Sequence, residues 1–357
     1  MTVRVRPSVA RLPRYIPGKP SGSGVVAHKL SSNEKPYPPL PGVLQATAQA
    51  CEQMNRYPDM ANTAITAAVA TRLQLGQDQL VFGAGSVAVL YSLLLAVCEP
   101  GDEVIYAWRS FEAYPIAVQL TGATPRPVPL KPGAVHDLDA MHSAIETDTK
   151  AILLCSPNNP TGPALTHQAV IDFVDAVPHD ILIILDEAYV EFVTDPQTVR
   201  GLEIFAGRSN VAVLRTFSKA YGLAGFRIGY GIAEPELTGA VRAASLPFGV
   251  SIVAQAAALA SLAAEEELMV RVVALVKARD ELAQGLVDLG FDVPDAQGNF
   301  VWLPAGPRTP AYAEAFTAGR LSVRPYIAGD VGDGVRITVG EPEANDRVLA
   351  IADTLPR

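Results

Sequence analysis

Short strand-like runs alternate with helical segments through the middle of this 357-residue chain, and that alternation most constrains its fold. One run, residues 181–185, is apolar throughout, as is typical of a strand buried on both faces of a parallel sheet. The pattern predicts an α/β fold with a mostly parallel central sheet and helices on both faces. Strands are predicted at 104–108, 126–130, 151–155, 181–185 and 211–215, and helices near 112–121, 138–146 and 166–177.

The length of the chain exceeds what one hydrophobic core usually supports, so two domains are expected. Residues 1–41 are rich in proline and glycine, which predicts an extended arm that packs on another part of the protein. Residues 42–249 carry the alternating pattern and predict a large domain. From residue 250 the chain becomes alanine-rich and helical, and shorter strands follow. Residues 250–357 therefore predict a smaller α+β domain, to which the arm adds.

The composition argues against several classes of partner. The net charge is −9, with no block of lysines or arginines, so no nucleic-acid partner is expected. The longest apolar runs, such as residues 87–98, are too short to span a membrane, and the N-terminus lacks the apolar segment of a secretory signal. Three widely spaced cysteines fit neither a disulfide framework nor a zinc site. We therefore expect a cytoplasmic protein without a bound metal.

The stretch at residues 210–227 carries the strongest chemical signal in the chain. A buried-strand run leads to Thr216, Ser218 and Lys219, and a glycine-punctuated loop then ends at Arg227. A lysine at the mouth of a buried strand is poorly solvated, which lowers its pKa and frees its amine as a nucleophile. The two hydroxyls and the arginine suit a phosphate. Together these residues predict a lysine that forms a Schiff base with the phosphorylated aldehyde pyridoxal 5′-phosphate (PLP).

A second anion site is predicted where a strand, a tight glycine turn and a helix follow one another at residues 80–98. Free N–H groups at the start of such a helix attract a phosphate. The motif Gly83-x-Gly85-x-x-Ala88 also matches the dinucleotide fingerprint, which expects an acidic residue at the end of the following strand. Here Asp102 and Glu103 precede that strand instead, so a phosphate site is favoured over a dinucleotide site.

Three motifs at the predicted strand ends give the chain a family resemblance. They read S-P-N-N-P-T-G at residues 156–162, D-E-A-Y at 186–189 and S-K-A-Y-G-L-A-G-F-R at 218–227. In this combination and order the chain resembles the fold-type I PLP-dependent aminotransferases of the histidinol-phosphate and aromatic amino acid group. The resemblance covers nearly the whole chain, and it implies the PLP-dependent transferase fold of type I.

The resemblance also implies a role for each residue around the cofactor ring. Lys219 would hold PLP and then move a proton between the substrate Cα and the cofactor C4′. Asp186 would pair with the pyridine nitrogen and keep it protonated. Tyr189 and Asn159 would hydrogen-bond the phenolic oxygen of the ring. Phe111 stands where relatives commonly have a stacking tyrosine, so stacking is retained while any hydroxyl contact is lost.

Phosphate and substrate residues follow from the same resemblance. The phosphate would be held by Thr216, Ser218 and Arg227, by the backbone at Ala84 and Gly85, and by Tyr57 reaching across from the partner subunit of a homodimer. The motif G-V-R-I-T-V-G at 334–340 matches the C-terminal arginine motif of the group. A planar guanidinium binds a carboxylate through two hydrogen bonds. The predicted substrate residues are Arg336, with Arg324 as a second cation, and Asn33 and Tyr15 from the arm.

Local sequence favours aromatic amino acids over histidinol phosphate as the substrate. Histidinol-phosphate enzymes commonly carry acidic residues after the glycine turn, where this chain has Ser86 and Val87. The arm and residues 108–115 look more like actinobacterial aromatic aminotransferases. We therefore expect transamination of aromatic amino acids with 2-oxoglutarate. Histidinol-phosphate transamination and decarboxylation of a phosphorylated amino acid stay open, whereas a PLP-binding regulator would need a DNA-binding module for which no residues remain.

Overall fold

The computed structural model describes residues 3–10, 12, 27–328 and 332–357. The helices are α1 (Pro7–Ala10), α2 (Pro41–Cys51), α3 (Thr63–Leu73), α4 (Ser86–Val97), α5 (Ala113–Thr121), α6 (Leu138–Ser143), α7 (His167–Ala176), α8 (Gly201–Phe205), α9 (Pro235–Ala244), α10 (Ile252–Ala263), α11 (Glu265–Asp288), α12 (Thr309–Ala318) and α13 (Pro342–Ala352). No helix within these ranges is long and apolar enough to cross a membrane.

The strands are β1 (His28–Lys29), β2 (Leu80–Gly83), β3 (Glu103–Trp108), β4 (Thr124–Pro129), β5 (Thr149–Cys155), β6 (Leu182–Asp186), β7 (Val211–Thr216), β8 (Gly229–Ile232), β9 (Phe300–Pro304), β10 (Leu321–Ser322), β11 (Arg324–Tyr326) and β12 (Gly334–Thr338). Seven of them form the central sheet, in the order β2-β8-β7-β6-β5-β3-β4. Strands β3 to β7 are parallel, and β8 runs antiparallel to both of its neighbours. The predicted α/β class and mostly parallel sheet are confirmed.

Alternating side chains of the central strands enter two separate apolar layers. Ile183 and Leu185 of β6 pack into one layer, whereas Leu182 and Ile184 pack into the other. This is the period of two that a strand imposes, with both faces covered. Burial on both faces explains why the sequence of this strand is apolar throughout.

Strand β8 is absent from the sequence-based prediction, and its glycines explain why. Glycine is depleted in strands, so the run Gly229–Ile232 gives no strand signal. In the fold these glycines allow close packing against the start of α4. A Cβ on Gly229 would lie 2.3 Å from the backbone nitrogen of Ser86, and one on Gly231 would lie 2.8 Å from Cγ1 of Val89. The strand forms by pairing with β2 and β7. Its glycines are required because a side chain there would collide with α4.

The C-terminal part contains a three-stranded antiparallel sheet in the order β11-β12-β9. Strand β1 of the arm pairs with β10 of the C-terminal part, with His28 opposite Leu321. Helix α10 nevertheless packs against α2 and α3, on the other side of the predicted boundary at residue 250. The domain limits therefore stay a prediction.

Candidate active site

The carboxyl ends of the parallel strands meet at one edge of the central sheet, where ligands of open α/β sheets bind. A cavity of about 490 Å³ lies at this edge, between the central sheet and the β11–β12 pair. Ten residues predicted from the sequence line it together: Phe111, Asn159, Asp186, Tyr189, Thr216, Ser218, Lys219, Arg227, Arg324 and Arg336. The fold thus gathers into one cavity residues that are scattered over more than two hundred positions of the chain.

Lys219 presents its amine inside this cavity. Burial, reinforced by the nearby charge of Arg336, lowers the pKa of Lys219 from 10.5 to about 7. The amine lies 3.3 Å from the carbonyl oxygen of Ser32 and 3.4 Å from that of Asn33, both in the arm. A large fraction of this amine is therefore uncharged near neutral pH, and an uncharged amine can attack an aldehyde.

Asp186 ends β6 as a buried carboxylate. The hydroxyl of Tyr114 donates to its Oδ2 at 2.9 Å, and the backbone N–H of Ala188 donates to Oδ1 at 3.2 Å. Burial raises the pKa of Asp186 to about 6, while the Tyr114 hydrogen bond opposes that rise. Tyr114 was not predicted as a site residue. Its signal was its spacing of three residues from Phe111, which sets both rings at the start of α5.

Tyr189 receives a hydrogen bond from an arm residue. The side-chain amide of Asn33 donates to the Tyr189 hydroxyl at 2.9 Å, and burial raises the pKa of Tyr189. Thr338 fixes the orientation of this amide, because its hydroxyl accepts from the Asn33 backbone N–H at 2.9 Å and donates to Oδ1 at 3.0 Å. Asn33 was predicted as a substrate residue. The structure places its side chain behind Tyr189 and leaves it off the cavity wall.

Arg336 is held in place from three sides. It donates to Oδ1 of Asn159, to the Tyr326 hydroxyl at 3.0 Å and to the Ser31 carbonyl at 2.7 Å. Its buried Nε has no hydrogen-bond partner in the described part of the chain. The residue also lines the cavity, so its guanidinium is suited to an anionic ligand there. The contact with Asn159 was not foreseen.

Arg324 stands directly opposite Arg336 on the neighbouring antiparallel strand. Its Nη2 lies 2.5 Å from Oε2 of Glu112, which the sequence analysis did not single out. Glu112 precedes α5 and also lines the cavity. The predicted second cation is therefore present, but it is paired with an acid of the cavity wall.

The predicted phosphate end is polar and closely packed. Thr216 accepts from the Ser218 backbone N–H at 3.1 Å, and the Arg227 guanidinium lies 3.4 Å from the Ser218 hydroxyl. Gly85 has a φ of +82°, and a Cβ there would lie 2.6 Å from Nη2 of Arg227, so a glycine is required. Thr216, Ser218 and Arg227 all line the cavity, so their hydroxyls and guanidinium are available to a phosphate.

The start of α4 lies beside the predicted backbone residues at this end. Gly85 donates its N–H to the Gly83 carbonyl at 2.7 Å, and Ala84 lines a neighbouring cavity. Ser86 and Val87, the first residues of α4, line the active-site cavity. A phosphate role for the backbone of Ala84 and Gly85 stays a prediction, and the nearby helix start favours an anion at this end.

One predicted residue lies away from the cavity, and another falls outside the described residues. Tyr57 is 81% exposed and stacks on Phe248, with 4.7 Å between the ring centroids. It contributes nothing to the site of its own subunit. Tyr15 lies outside the described residues.

Comparisons with known proteins agree with this geometry. A sequence model of the family described as aminotransferase class I and II matches residues 27–351. An aromatic amino acid aminotransferase of Streptomyces avermitilis is 51% identical, over 98% of this chain and 97% of the relative. One of Thermobifida fusca is 47% identical, over 99% of this chain and 97% of the relative.

Solved structures show the same architecture. The histidinol-phosphate aminotransferase of Sinorhizobium meliloti, in complex with pyridoxal-5'-phosphate, matches with a TM-score of 0.88 and 27% identity, over 99% of this chain and 97% of that one. A variant aspartate aminotransferase of Thermus thermophilus matches with a TM-score of 0.83 at 24% identity, over 99% of both chains, a likeness that concerns the fold alone.

Proposed function

Because this chain belongs to the class I and II aminotransferase family, we propose that it transfers the amino group of aromatic amino acids to 2-oxoglutarate, with PLP as its cofactor. The family resemblance stated from the sequence motifs is confirmed by these comparisons. The observation that carries the proposal is the amine of Lys219, with its pKa near 7, in one cavity with the buried carboxylate of Asp186 and the cation Arg336.

The residues of the cavity fit PLP in three respects. Lys219 offers an amine for the aldehyde carbon, and Asp186 offers a buried carboxylate for the pyridine nitrogen. At the other end, Arg227, two hydroxyls and the start of α4 suit the phosphate. When bound, the cofactor supplies an electron sink and a temporary carrier of the amino group.

Lys219 would transfer protons in the reaction, and Tyr189 would donate a hydrogen bond. An amine with a pKa near 7 can both take a proton from the substrate Cα and return one to the cofactor C4′ at neutral pH. Asn33 donates to the Tyr189 hydroxyl, so the hydroxyl's own proton is free to point toward the cavity. There it would meet the phenolic oxygen of the cofactor, as would the side chain of Asn159.

Arg336 would bind the substrate α-carboxylate, because its guanidinium lines the ligand cavity and is held there by Asn159, Tyr326 and Ser31. Phe111, Ile116 and Tyr326 give the same cavity apolar walls that suit a flat ring. The substrate class itself is carried over from the relatives named aromatic amino acid aminotransferase, which are 51% and 47% identical to this chain.

Histidinol phosphate is the second candidate substrate. It is favoured by the TM-score of 0.88 to a histidinol-phosphate aminotransferase, and Arg324 and Arg336 together could bind a phosphate. The lower identity of that protein, 27%, ranks histidinol phosphate below the aromatic substrates.

The test is a steady-state comparison of phenylalanine, tyrosine and histidinol phosphate with saturating 2-oxoglutarate. We expect an aromatic donor to exceed histidinol phosphate in kcat/KM by at least about tenfold, or roughly 1.4 kcal/mol. A higher value for histidinol phosphate would reject the aromatic assignment, and release of CO2 would indicate a decarboxylase.

Dimerisation is typical of the family, and we propose that Tyr57 completes the cofactor site of a partner subunit. The support is the exposure of Tyr57 and of Phe248, the ring on which it stacks. Large apolar side chains that are exposed together mark an interaction surface. A cytoplasmic location belongs to the same proposal and is supported by the free thiols of the chain's three cysteines.

A further inference from the structure

One cavity must accept two different side chains if the proposed function is right. An aromatic donor brings a single carboxylate, whereas 2-oxoglutarate brings two. Two buried arginines, Arg324 and Arg336, face each other across β11 and β12 and line that cavity. With 2-oxoglutarate each arginine can meet one carboxylate. With an aromatic donor, Arg324 would keep a buried charge without a substrate partner, which is costly.

Glu112 places a negative charge beside Arg324. Its carboxylate lies 2.5 Å from Arg324, whose side chain is 8% exposed, while the side chain of Glu112 is 31% exposed. The arginine is thus the fixed, desolvated member of the pair, and the glutamate is the member that solvent can reach. Of two partners, the one nearer to solvent loses less when the pair separates.

The position of Glu112 allows its carboxylate to separate from Arg324 and still lie in a favourable electrostatic environment. It lies at the N-cap position of α5, where the helix dipole favours a negative charge. Arg109, three residues before it, forms a buried ion pair with Asp333 at 2.9 Å. This second pair fixes the segment against the C-terminal part, so only the Glu112 side chain need move.

We propose that Glu112 is a specificity-determining residue, the exchangeable counter-ion of Arg324. It neutralises Arg324 while an aromatic side chain occupies the cavity, and the distal carboxylate of 2-oxoglutarate displaces it in the other half of the cycle. This inference rests on the proposed function and explains how one site serves both substrates. Glu112 favours aromatic ligands and opposes dicarboxylates, so its removal has opposite effects on the two classes.

The test compares wild type with Glu112→Gln as PLP-loaded enzymes. Calorimetry gives the Kd of 3-phenylpropionate, an unreactive aromatic monocarboxylate, and of glutarate, an unreactive dicarboxylate. In Glu112→Gln we expect glutarate to bind about tenfold more tightly and 3-phenylpropionate about tenfold more weakly. Glu103→Gln is the matched control. It breaks a partly exposed ion pair with Arg126, between neighbouring strands of the central sheet, and should change neither Kd. Equal shifts for both ligands, or none, would overturn the inference.

Two further variants separate charge from helix capping. Glu112→Asp keeps the charge at the start of α5 but is one methylene shorter, so it should still bind glutarate more tightly than wild type does. In an Arg324→Gln background, Glu112→Gln should have no further effect, because the charge that it balances is gone. An undiminished effect in that background would overturn the inference.

If wild type itself fails to transaminate phenylalanine and tyrosine, the proposed function is wrong and this inference is wrong with it. A failure of the Glu112 variants alone leaves the proposed function standing.

Discussion

The hydroxyl of Tyr114 donates a hydrogen bond to Oδ2 of Asp186 across 2.9 Å, although 72 positions separate the two residues in the chain. The donor stabilises the charged form of a carboxylate that burial would otherwise neutralise. A charged Asp186 is what a protonated pyridine nitrogen requires as its partner. Tyr114 is therefore a positioning residue that acts through Asp186.

Replacing Tyr114 with phenylalanine should raise the pKa of Asp186 above its present value of about 6, because burial then acts without opposition from this donor. The neutral acid would persist to higher pH, and PLP would bind more weakly there. We expect a loss of roughly 1–2 kcal/mol in PLP affinity near pH 6, and a smaller loss at pH 8. Titration of the apoenzyme with PLP across this pH range measures both.

Tyr106→Phe is the matched control for that experiment. This ring is buried beside Tyr114, with 6.1 Å between the centroids, and it makes no described contact with Asp186. Its PLP affinity should follow the wild-type pH dependence. Loss of affinity by the same factor at every pH in Tyr114→Phe would mean that the hydroxyl acts through packing and not through the charge of Asp186.

Lys219 should be the residue that carries the cofactor. Reduction of the PLP-loaded enzyme with borohydride should fix the label on Lys219, and Lys219→Ala should abolish turnover while PLP still binds through its phosphate. Lys35 is the internal control, because burial lowers its pKa to about 8 but its amine donates to the Ala220 carbonyl at 2.9 Å. Peptide mapping that finds the label on Lys35 would refute the assignment.

Capture of PLP by the apoenzyme should depend on pH through Lys219. Its pKa in the folded protein is about 7, so the amine is protonated and unreactive below that pH and free above it. The capture rate should fall about tenfold per pH unit well below 7 and level off above it. Stopped-flow absorbance measures this profile.

Arg336 provides the control for the origin of that pKa. Its charge helps to lower the pKa of Lys219, so Arg336→Gln should move the break in the capture profile to higher pH. A wild-type profile without a break between pH 6 and 9 would contradict the assignment of the lowered pKa.

Mixed dimers test whether Tyr57 acts across the interface. Lys219→Ala chains mixed with Tyr57→Ala chains should form hybrids in which one site carries both lesions and the other carries neither. The intact site should restore activity, to at most about half per hybrid dimer. Lys219→Ala mixed with Arg336→Ala should restore none, because Arg336 lines the same cavity as Lys219 within one subunit. Sedimentation as a monomer, or no recovery in the first mixture, would refute the shared site.

The local patterns of the sequence determined most of the framework. The five predicted central strands lie within two residues of the observed ones. Strand β6 is the clearest case, because a strand buried on both faces is apolar along most of its length. Lys219, Asp186 and Asn159 were predicted from motifs at or just beyond strand ends, together with the family resemblance that those motifs carry, and the ends of parallel strands share one edge of the sheet. The glycine-rich strand β8 was missed because glycines give no strand signal. They are required there by the close packing of α4 against the strand, which no local pattern shows.

Tertiary structure alone decided which side chains meet around those residues. Glu112 and Arg324 are 212 positions apart, and Asn33 lies 156 positions from Tyr189. No local pattern relates such residues, because their contact depends on how the arm and the β11–β12 pair close over the sheet edge. The sequence by itself therefore determined the fold class and predicted which lysine is a candidate for the cofactor. The tertiary structure decided three other features. They are the partners of Asp186, the orientation of the Tyr189 hydroxyl and the pairing of Arg324, and each depends on distances that only the folded chain defines.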